Sequence, residues 1–218
     1  MKPVNNKKRL WQLTPLVGTL FFIVLYILAT LVYPGGSQVD KNSVGFSWVN
    51  NYWCNLLNEH SMNGQHNPAR PIALWGTLIL CLTLGFFWYR FPIDINLAKR
   101  GKRTIQATGV LAMFTAMFLF TGFHDAFLNV ASFLGVIAVI GTLTALFSTK
   151  KYSLFLFGIL NLLLVAANNY VYYTDGLIIY LPVVQKISFA SFLLWICCIN
   201  IHLYRYPQPK LIRENKKF

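Results

Sequence analysis

Acidic residues are scarce in this chain. Of 218 residues only six are Asp or Glu, beside nineteen Lys and Arg, and charged residues make up 11% of the sequence. Soluble domains carry about 25% charged residues. This deficit, with 56% hydrophobic residues, excludes an ordinary soluble domain and predicts an all-α integral membrane protein.

Cysteine and histidine are also few, with four of each. The cysteines have no metal-ligand spacing, and only Cys54 falls outside the apolar segments, so no disulfide within the outer loops is expected. The chain also lacks the His-x3-His pair with which ceramidase-like membrane hydrolases hold zinc.

Six apolar segments are long enough to cross a bilayer, whose core needs about 20 residues per helix. They predict a six-transmembrane-helix bundle with helices at 13–33, 71–89, 105–122, 125–148, 152–173 and 177–204. Sixteen of the nineteen basic residues fall at the N-terminus and in the stretches 90–103, 150–151 and 205–217.

Because cytoplasmic loops collect Lys and Arg, this alternation predicts cytoplasmic N- and C-termini. A bacterial cytoplasmic (inner) membrane suits the pattern. The same topology, with anionic lipid headgroups, explains the net charge of +13 without nucleic acid as a partner.

The longest connection is the outer loop 34–70, between helices 1 and 2. Apolar residues recur in it at intervals of three and four, which predicts a short amphipathic helix at 46–59 on the membrane surface or over the bundle. Its polar face would carry Asn55 and Glu59, and Arg70 closes the loop. We predict these three residues to be binding residues.

Lys186 lies about ten residues into helix 6, where a charge facing lipid costs at least ~2.5 kcal/mol. We expect it to face the bundle and bind a ligand, with Asp125 and Asp175 as the nearest counter-ions. A structural ion pair, or snorkelling toward the interface, is the alternative.

His124 and Asp125 stand at the outer start of helix 4 and are the candidate catalytic pair, as general base or proton donor. Asn129 continues a polar stripe into the membrane, and Asn168 and Tyr172 form a similar stripe on helix 5. We predict these three to line a polar pocket. The alternatives are an N-cap at Asp125 and ordinary interhelical hydrogen bonds.

A zinc site could be assembled from His60, His66 and His124 with a carboxylate. No ligand motif supports it, so the sequence predicts no cofactor, with zinc as the alternative.

The run Asn51-Tyr52-Trp53-Cys54-Asn55-Leu56-Leu57, the closure Asn67-Pro68-Ala69-Arg70 and the pair His124-Asp125 resemble bacterial six-helix membrane proteins of unknown function, loosely allied to the DRAM and Sfk-like families. That resemblance implies the same layout and no established reaction. The segment around Lys186 also resembles the last helix of microbial rhodopsins, which implies retinal binding as a remote alternative.

Three functions therefore remain open. The first is an outward-facing polar pocket, lined by helices 4–6, that recognises a lipid headgroup or small polar solute. The second is a membrane-embedded lipid hydrolase or transferase, with or without metal. The third is a structural or assembly protein. The expected partners are membrane lipids, with a homo-oligomer or another membrane protein as further candidates.

Overall fold

The computed structural model describes residues 6–206, and side chains from Leu10 onward. Within this range the chain is helical and has no named strand. The basic residues at the extreme N-terminus and in the tail after residue 206 lie outside the described residues. The long helices are α1 (Thr14–Leu31), α2 (Ala69–Asp94), α3 (Lys99–Ala116), α4 (His124–Ser148), α5 (Tyr152–Tyr173) and α6 (Leu181–Arg205).

Successive helices pack antiparallel, α1 on α2, α2 on α3, α3 on α4 and α5 on α6, and α6 also contacts α1. Side-chain contacts show the antiparallel order, because they connect the beginning of one helix with the later part of its neighbour. Trp11 before α1 lies under the Arg90 guanidinium near the end of α2, 3.8 Å from the ring centroid. Trp195 of α6 donates its indole N–H to the Leu154 carbonyl of α5 over 2.7 Å.

This order gives the bundle two unlike ends. The loop end carries residues 32–68 and the starts of α2, α4 and α6. The opposite, basic end carries Arg90, the start of α3, Lys150, Lys151 and Arg205. The basic stretches that are far apart in sequence therefore meet at one end of the fold.

Five helical segments are long and apolar enough to cross a membrane, as far as the described residues go. They are Leu10–Leu31, Ala69–Asp94, His124–Ser148, Tyr152–Tyr173 and Ile178–Arg205. The chain is thus compatible with a multi-pass membrane protein. Helix α3 is the exception, because its first turns hold the basic residues 99–103.

Helix α3 differs from the predicted segment 105–122 at both ends. It begins at Lys99, since Lys and Arg are good helix formers even where their charge suggested a loop. It ends at Ala116, after which successive three-residue turns run to the start of α4, with Thr121 donating its hydroxyl to the Phe118 carbonyl. Hydrophobicity predicted this stretch as helix, but its hydrogen bonds are those of turns.

Helix-helix contacts are close because glycines lie at them. An added Cβ would come within 3.0 Å of a neighbouring side chain at five helical glycines, Gly18, Gly76, Gly109, Gly141 and Gly158. Small residues let helix backbones approach in membranes, where packing rather than the hydrophobic effect holds helices together. These contacts define how α1–α6 fit against one another.

The expected amphipathic helix at 46–59 is wrong as a continuous helix, because only Trp53–Leu57 forms a single 3-10 helix. Side chains compete with the backbone here. The Asn51 carboxamide accepts from the Ser47 N–H at 2.9 Å and donates to the Gly36 carbonyl at 2.8 Å. Asn55 accepts from the Tyr52 N–H at 2.7 Å. Hydrogen bonds from the buried side-chain amides of Asn51 and Asn55 therefore fix the conformation of this segment.

Candidate functional site

Lys186 lies one turn into α6 at the loop end, half-buried. Its ammonium donates hydrogen bonds to the carbonyl of Asn51 in the loop and, at 3.0 Å, to the carbonyl of Pro182. The prediction that it faces the bundle interior is consistent with these contacts. The expected counter-ions are not beside it, for among the described residues Lys186 forms no ion pair.

A cavity of about 280 Å³ adjoins Lys186. It lies between α1, α2, α3, α4 and α6, and the 3-10 helix Trp53–Leu57 closes it at the loop end. We call it the Lys186 cavity. Its polar or sulfur-bearing lining residues are Tyr26, Trp53, Cys54, Thr77, Cys81, Met113, His124, Gln185 and Lys186.

The walls of the Lys186 cavity are otherwise apolar. Thr77, Leu80, Cys81 and Leu84 line it from one face of α2, at intervals of three and four residues. Seven residues of helix span about 10 Å. The cavity is thus a slot that extends along α2 from the cation at the loop end toward the middle of the bundle. It differs from the expected polar pocket between helices 4–6, because it is largely apolar and α5 contributes none of its lining.

Of the predicted binding and catalytic residues, the structure brings only Lys186 and His124 to this cavity. Helix α5 contributes none of its lining, so Asn168 and Tyr172 lie elsewhere. Sequence reasoning missed Trp53, Cys54 and Tyr26. In the sequence these residues belong to an aromatic and apolar pattern, which is equally typical of a hydrophobic core and of a cavity lining.

His124 and Asp125 begin α4. The His124 Nδ1 and Asp125 Oδ1 atoms are 3.2 Å apart, and the Asp125 side chain is 96% exposed. When one ring nitrogen is engaged by a carboxylate, the tautomer and the role of the other nitrogen are set. The contact can thus orient the His124 ring at the cavity wall, while the Asp125 side chain is exposed on the surface of the bundle.

The polar stripes on α4 and α5 do not converge. Asn129 and Tyr172 are exposed on the bundle surface. Asn168 donates to the Ser188 hydroxyl of α6 and, at 2.9 Å, to the Leu164 carbonyl of its own helix. This is an interhelical hydrogen bond, the alternative that the sequence left open.

The predicted loop residues hold the loop together. Asn55 is buried and caps the 3-10 helix through its bond from Tyr52. Arg70 and Glu59 lie 3.8 Å apart in a partly exposed ion pair. Such pairs contribute up to about 1 kcal/mol. These contacts give each of the three side chains a partner within the loop, although the Arg70 Nε atom is buried without a hydrogen-bond partner in the described part of the chain.

His60 and His66 face each other in an isolated antiparallel bridge. The bonds Asn67 N–H to Glu59 carbonyl and Ser61 N–H to Gln65 carbonyl, 3.0 and 2.9 Å, flank the pair. In such a non-hydrogen-bonded pair both side chains project to one face. His124 does not join them, for no group of three or more His, Cys, Asp or Glu that could hold a metal occurs in the described residues.

Two further groups at the cavity bear on its chemistry. Burial raises the pKa of the Cys54 thiol, so it is a poor nucleophile at neutral pH. The indole N–H of Trp53 is buried and has no hydrogen-bond partner in the described part of the chain. A buried donor without a partner costs free energy that a ligand acceptor would recover.

No protein-family model, curated protein or solved structure matches this chain.

Proposed function

We propose that this protein is a six-span protein of a bacterial cytoplasmic membrane that binds the anionic headgroup of a lipid at the loop end of its bundle. The observation that carries the proposal is Lys186, a cation on a membrane-spanning helix beside a cavity, with no ion pair among the described residues. Intramembrane charges are costly and are kept mainly for function.

The hydrogen bonds of Lys186 favour an anion. An ammonium has three donors, and two are used by the carbonyls of Asn51 and Pro182. These carbonyls hold the ammonium in place and leave its charge uncompensated. A phosphate or carboxylate oxygen would supply both the third acceptor and the countercharge. His124 would add a hydrogen bond, or a proton, from the α4 side of the cavity.

A lipid is favoured over the other ligand considered, a small polar solute, because the cavity walls beyond Lys186 are apolar. The same side chains bear on the second candidate function, a lipid hydrolase or transferase. The contact between His124 and Asp125 at the cavity wall favours a metal-independent general base in that case.

Exchanging Lys186 for methionine tests the binding proposal. We expect Lys186→Met to weaken the binding of anionic lipids about 10–100-fold, since hydrogen bonds to charged groups contribute about 1.5–3 kcal/mol and 1.4 kcal/mol is tenfold in affinity. Native mass spectrometry would measure the affinity of the wild type and of Lys186→Met for each lipid. The lipids would carry either a phosphate or a phosphocholine headgroup, and each headgroup would be tested with one and with two hydrocarbon chains.

Lys186→Arg should retain most of the preference for anions, and Lys41→Met, in the exposed part of the loop, should retain all of it. Circular dichroism and gel filtration would show that each variant is folded. Equal affinity of the wild type and Lys186→Met for every phosphate lipid would refute the proposal.

The orientation of the protein in the membrane is tested separately, by cysteine labelling in intact cells. The cells express a variant of the protein that lacks the four native cysteines. We expect an impermeant maleimide to label a cysteine introduced at Gln65 in the loop and to leave one at Gly101 in α3 unlabelled until the membrane is broken. The reverse pattern would invert the topology, and labelling at both positions would contradict an α2 that crosses the membrane.

A further inference from the structure

A second, more open cavity adjoins the Lys186 cavity. It has a volume of about 310 Å³ and lies between α2 and the turns that follow α3, lined by Leu74, Trp75, Leu78, Met117 and Phe120 among others. We call it the access groove. Thr77 lines both spaces, so they abut at that side chain.

The end of α3 and the turns that follow it lie between the two cavities. Helix α3 ends at Ala116, and Ala116 and Leu119 line the Lys186 cavity while Met117 and Phe120 line the access groove. The partition is therefore made of the last residue of α3, the turn residues after it and one side chain of α2. Turns have fewer cooperative backbone hydrogen bonds than a helix, and such segments open at lower cost than the elements around them.

From this arrangement we propose that the ligand is an anionic lipid with a single hydrocarbon chain, and that it enters the Lys186 cavity sideways from the bilayer, between α2 and the turn 117–123. The inference rests on the proposed function, because it assumes that Lys186 holds the anionic group.

The volume argues for one chain. About 280 Å³ is at the lower limit of small-molecule sites, which span about 300–1,000 Å³. The apolar stripe from Thr77 to Leu84 continues away from the cation for about 10 Å along α2. This slot takes the head, at Lys186, and the first part of one chain. A second chain would have to remain outside the bundle.

The positive charge and the hydrogen-bond donors at the cavity argue that the headgroup of the ligand is an oxyanion. Lys186 and His124 reach the cavity from different helices, and Trp53, whose buried N–H lacks a partner in the described chain, lines it from the loop. The Lys186 ammonium and the His124 ring can both donate to an oxyanion. A phosphate monoester and a carboxylate share this chemistry, so lysophosphatidate and a free fatty acid are both compatible with the site.

Protection of Cys54 from alkylation reports occupancy, because its thiol lines the cavity. The experiment uses protein in phosphatidylcholine nanodiscs with Cys54 as the sole cysteine. Because burial raises the pKa of this thiol, alkylation is slow at neutral pH and is followed there over a correspondingly long period. The added probes are oleoyl lysophosphatidate, oleate, dioleoyl phosphatidate and oleoyl lysophosphatidylcholine.

We expect the two single-chain anions to slow alkylation at least tenfold, and the two-chain anion and the zwitterion to have little effect. Protection by oleate but not by lysophosphatidate, or the reverse, identifies the head as carboxylate or phosphate. Equal protection by dioleoyl phosphatidate would overturn the single-chain inference and leave the proposed function intact. Equal protection by the zwitterion, unchanged in Lys186→Met, would overturn the proposed function as well, as would no protection at all.

The access route is tested by the rate at which protection develops. Leu78→Trp and Met117→Trp should each slow it several-fold with little change in its final extent, and Met117→Ala should accelerate it. Leu156→Trp, at an exposed position of α5 that lines neither cavity, is the control and should change neither. Wild-type rates in both tryptophan variants at the groove would overturn lateral access there.

Discussion

Replacing Asn67 with alanine is expected to destabilise the loop 34–70 by about 3 kcal/mol. The Asn67 side chain is fully buried, and its carboxamide donates to the carbonyls of Asn55, Leu56 and Asn58 at 2.9–3.3 Å. Its oxygen accepts from the Ala69 N–H at 3.1 Å, at the start of α2. Each hydrogen bond contributes about 1 kcal/mol, and buried groups left without a partner cost about 1–3 kcal/mol.

The effect should be confined to the loop and the first turn of α2, where the lost bonds lie. Hydrogen exchange and limited proteolysis in detergent would measure it, as faster exchange and cleavage in 34–70 with the other helices unchanged. Loosening the loop also moves the Asn51 carbonyl that accepts from Lys186, so anionic-lipid affinity should fall as well.

Two variants make the result specific. Asn67→Asp keeps an oxygen for the Ala69 N–H but sets a carboxylate against three carbonyls, so it should destabilise the loop at least as much as alanine. Asn58→Ala changes an exposed amide on the same segment and should have little effect. If Asn67→Ala exchanges like the wild type, the loop does not depend on this side chain.

Adding a single methyl group at Gly109 should produce the second large effect. A Cβ there would lie 2.3 Å from Cγ of Trp88, which is 1% exposed between α2 and α3. Neither the buried ring nor the helix backbone can move away cheaply. Overpacking of this kind costs about 1–3 kcal/mol, so Gly109→Ala should lower the thermal midpoint by several degrees in mild detergent.

Gly101 on the same helix provides the matched control. Nothing lies within 4 Å of a Cβ at this position, so Gly101→Ala should be neutral or stabilising by up to about 1 kcal/mol through helix propensity. Equal midpoints for the two variants would show that α3 does not pack on Trp88 as the structure has it.

The apolar helices could be predicted because the hydrophobicity of a segment is the sum over its own residues and does not depend on the rest of the fold. The predicted helices 125–148 and 152–173 match α4 and α5 within one residue, since a lipid-facing helix must be apolar nearly throughout. The segment 46–59 failed for the opposite reason. Its spacing was helical, but the bonds made by Asn51 and Asn55 depend on partners brought close by the fold of the whole loop.

The candidate site was predicted less well. Lys186 and His124 stand out in the sequence because polar groups are conspicuous in apolar helices, and both reach the cavity. Asn129 and Tyr172 stand out equally and lie on the exposed surface. Helical spacing says which residues share a face, and only the packing of neighbouring helices says where that face points.

The amino-acid sequence alone thus determined a chain built of apolar helices, with its basic residues grouped between them and one cation left inside, because these are properties of local composition. The tertiary structure decided the rest. It determined that α3 breaks early, that the loop folds on its own buried amides, and that Lys186 meets two carbonyls beside an apolar slot. These outcomes depend on contacts between residues distant in sequence, which no local pattern encodes.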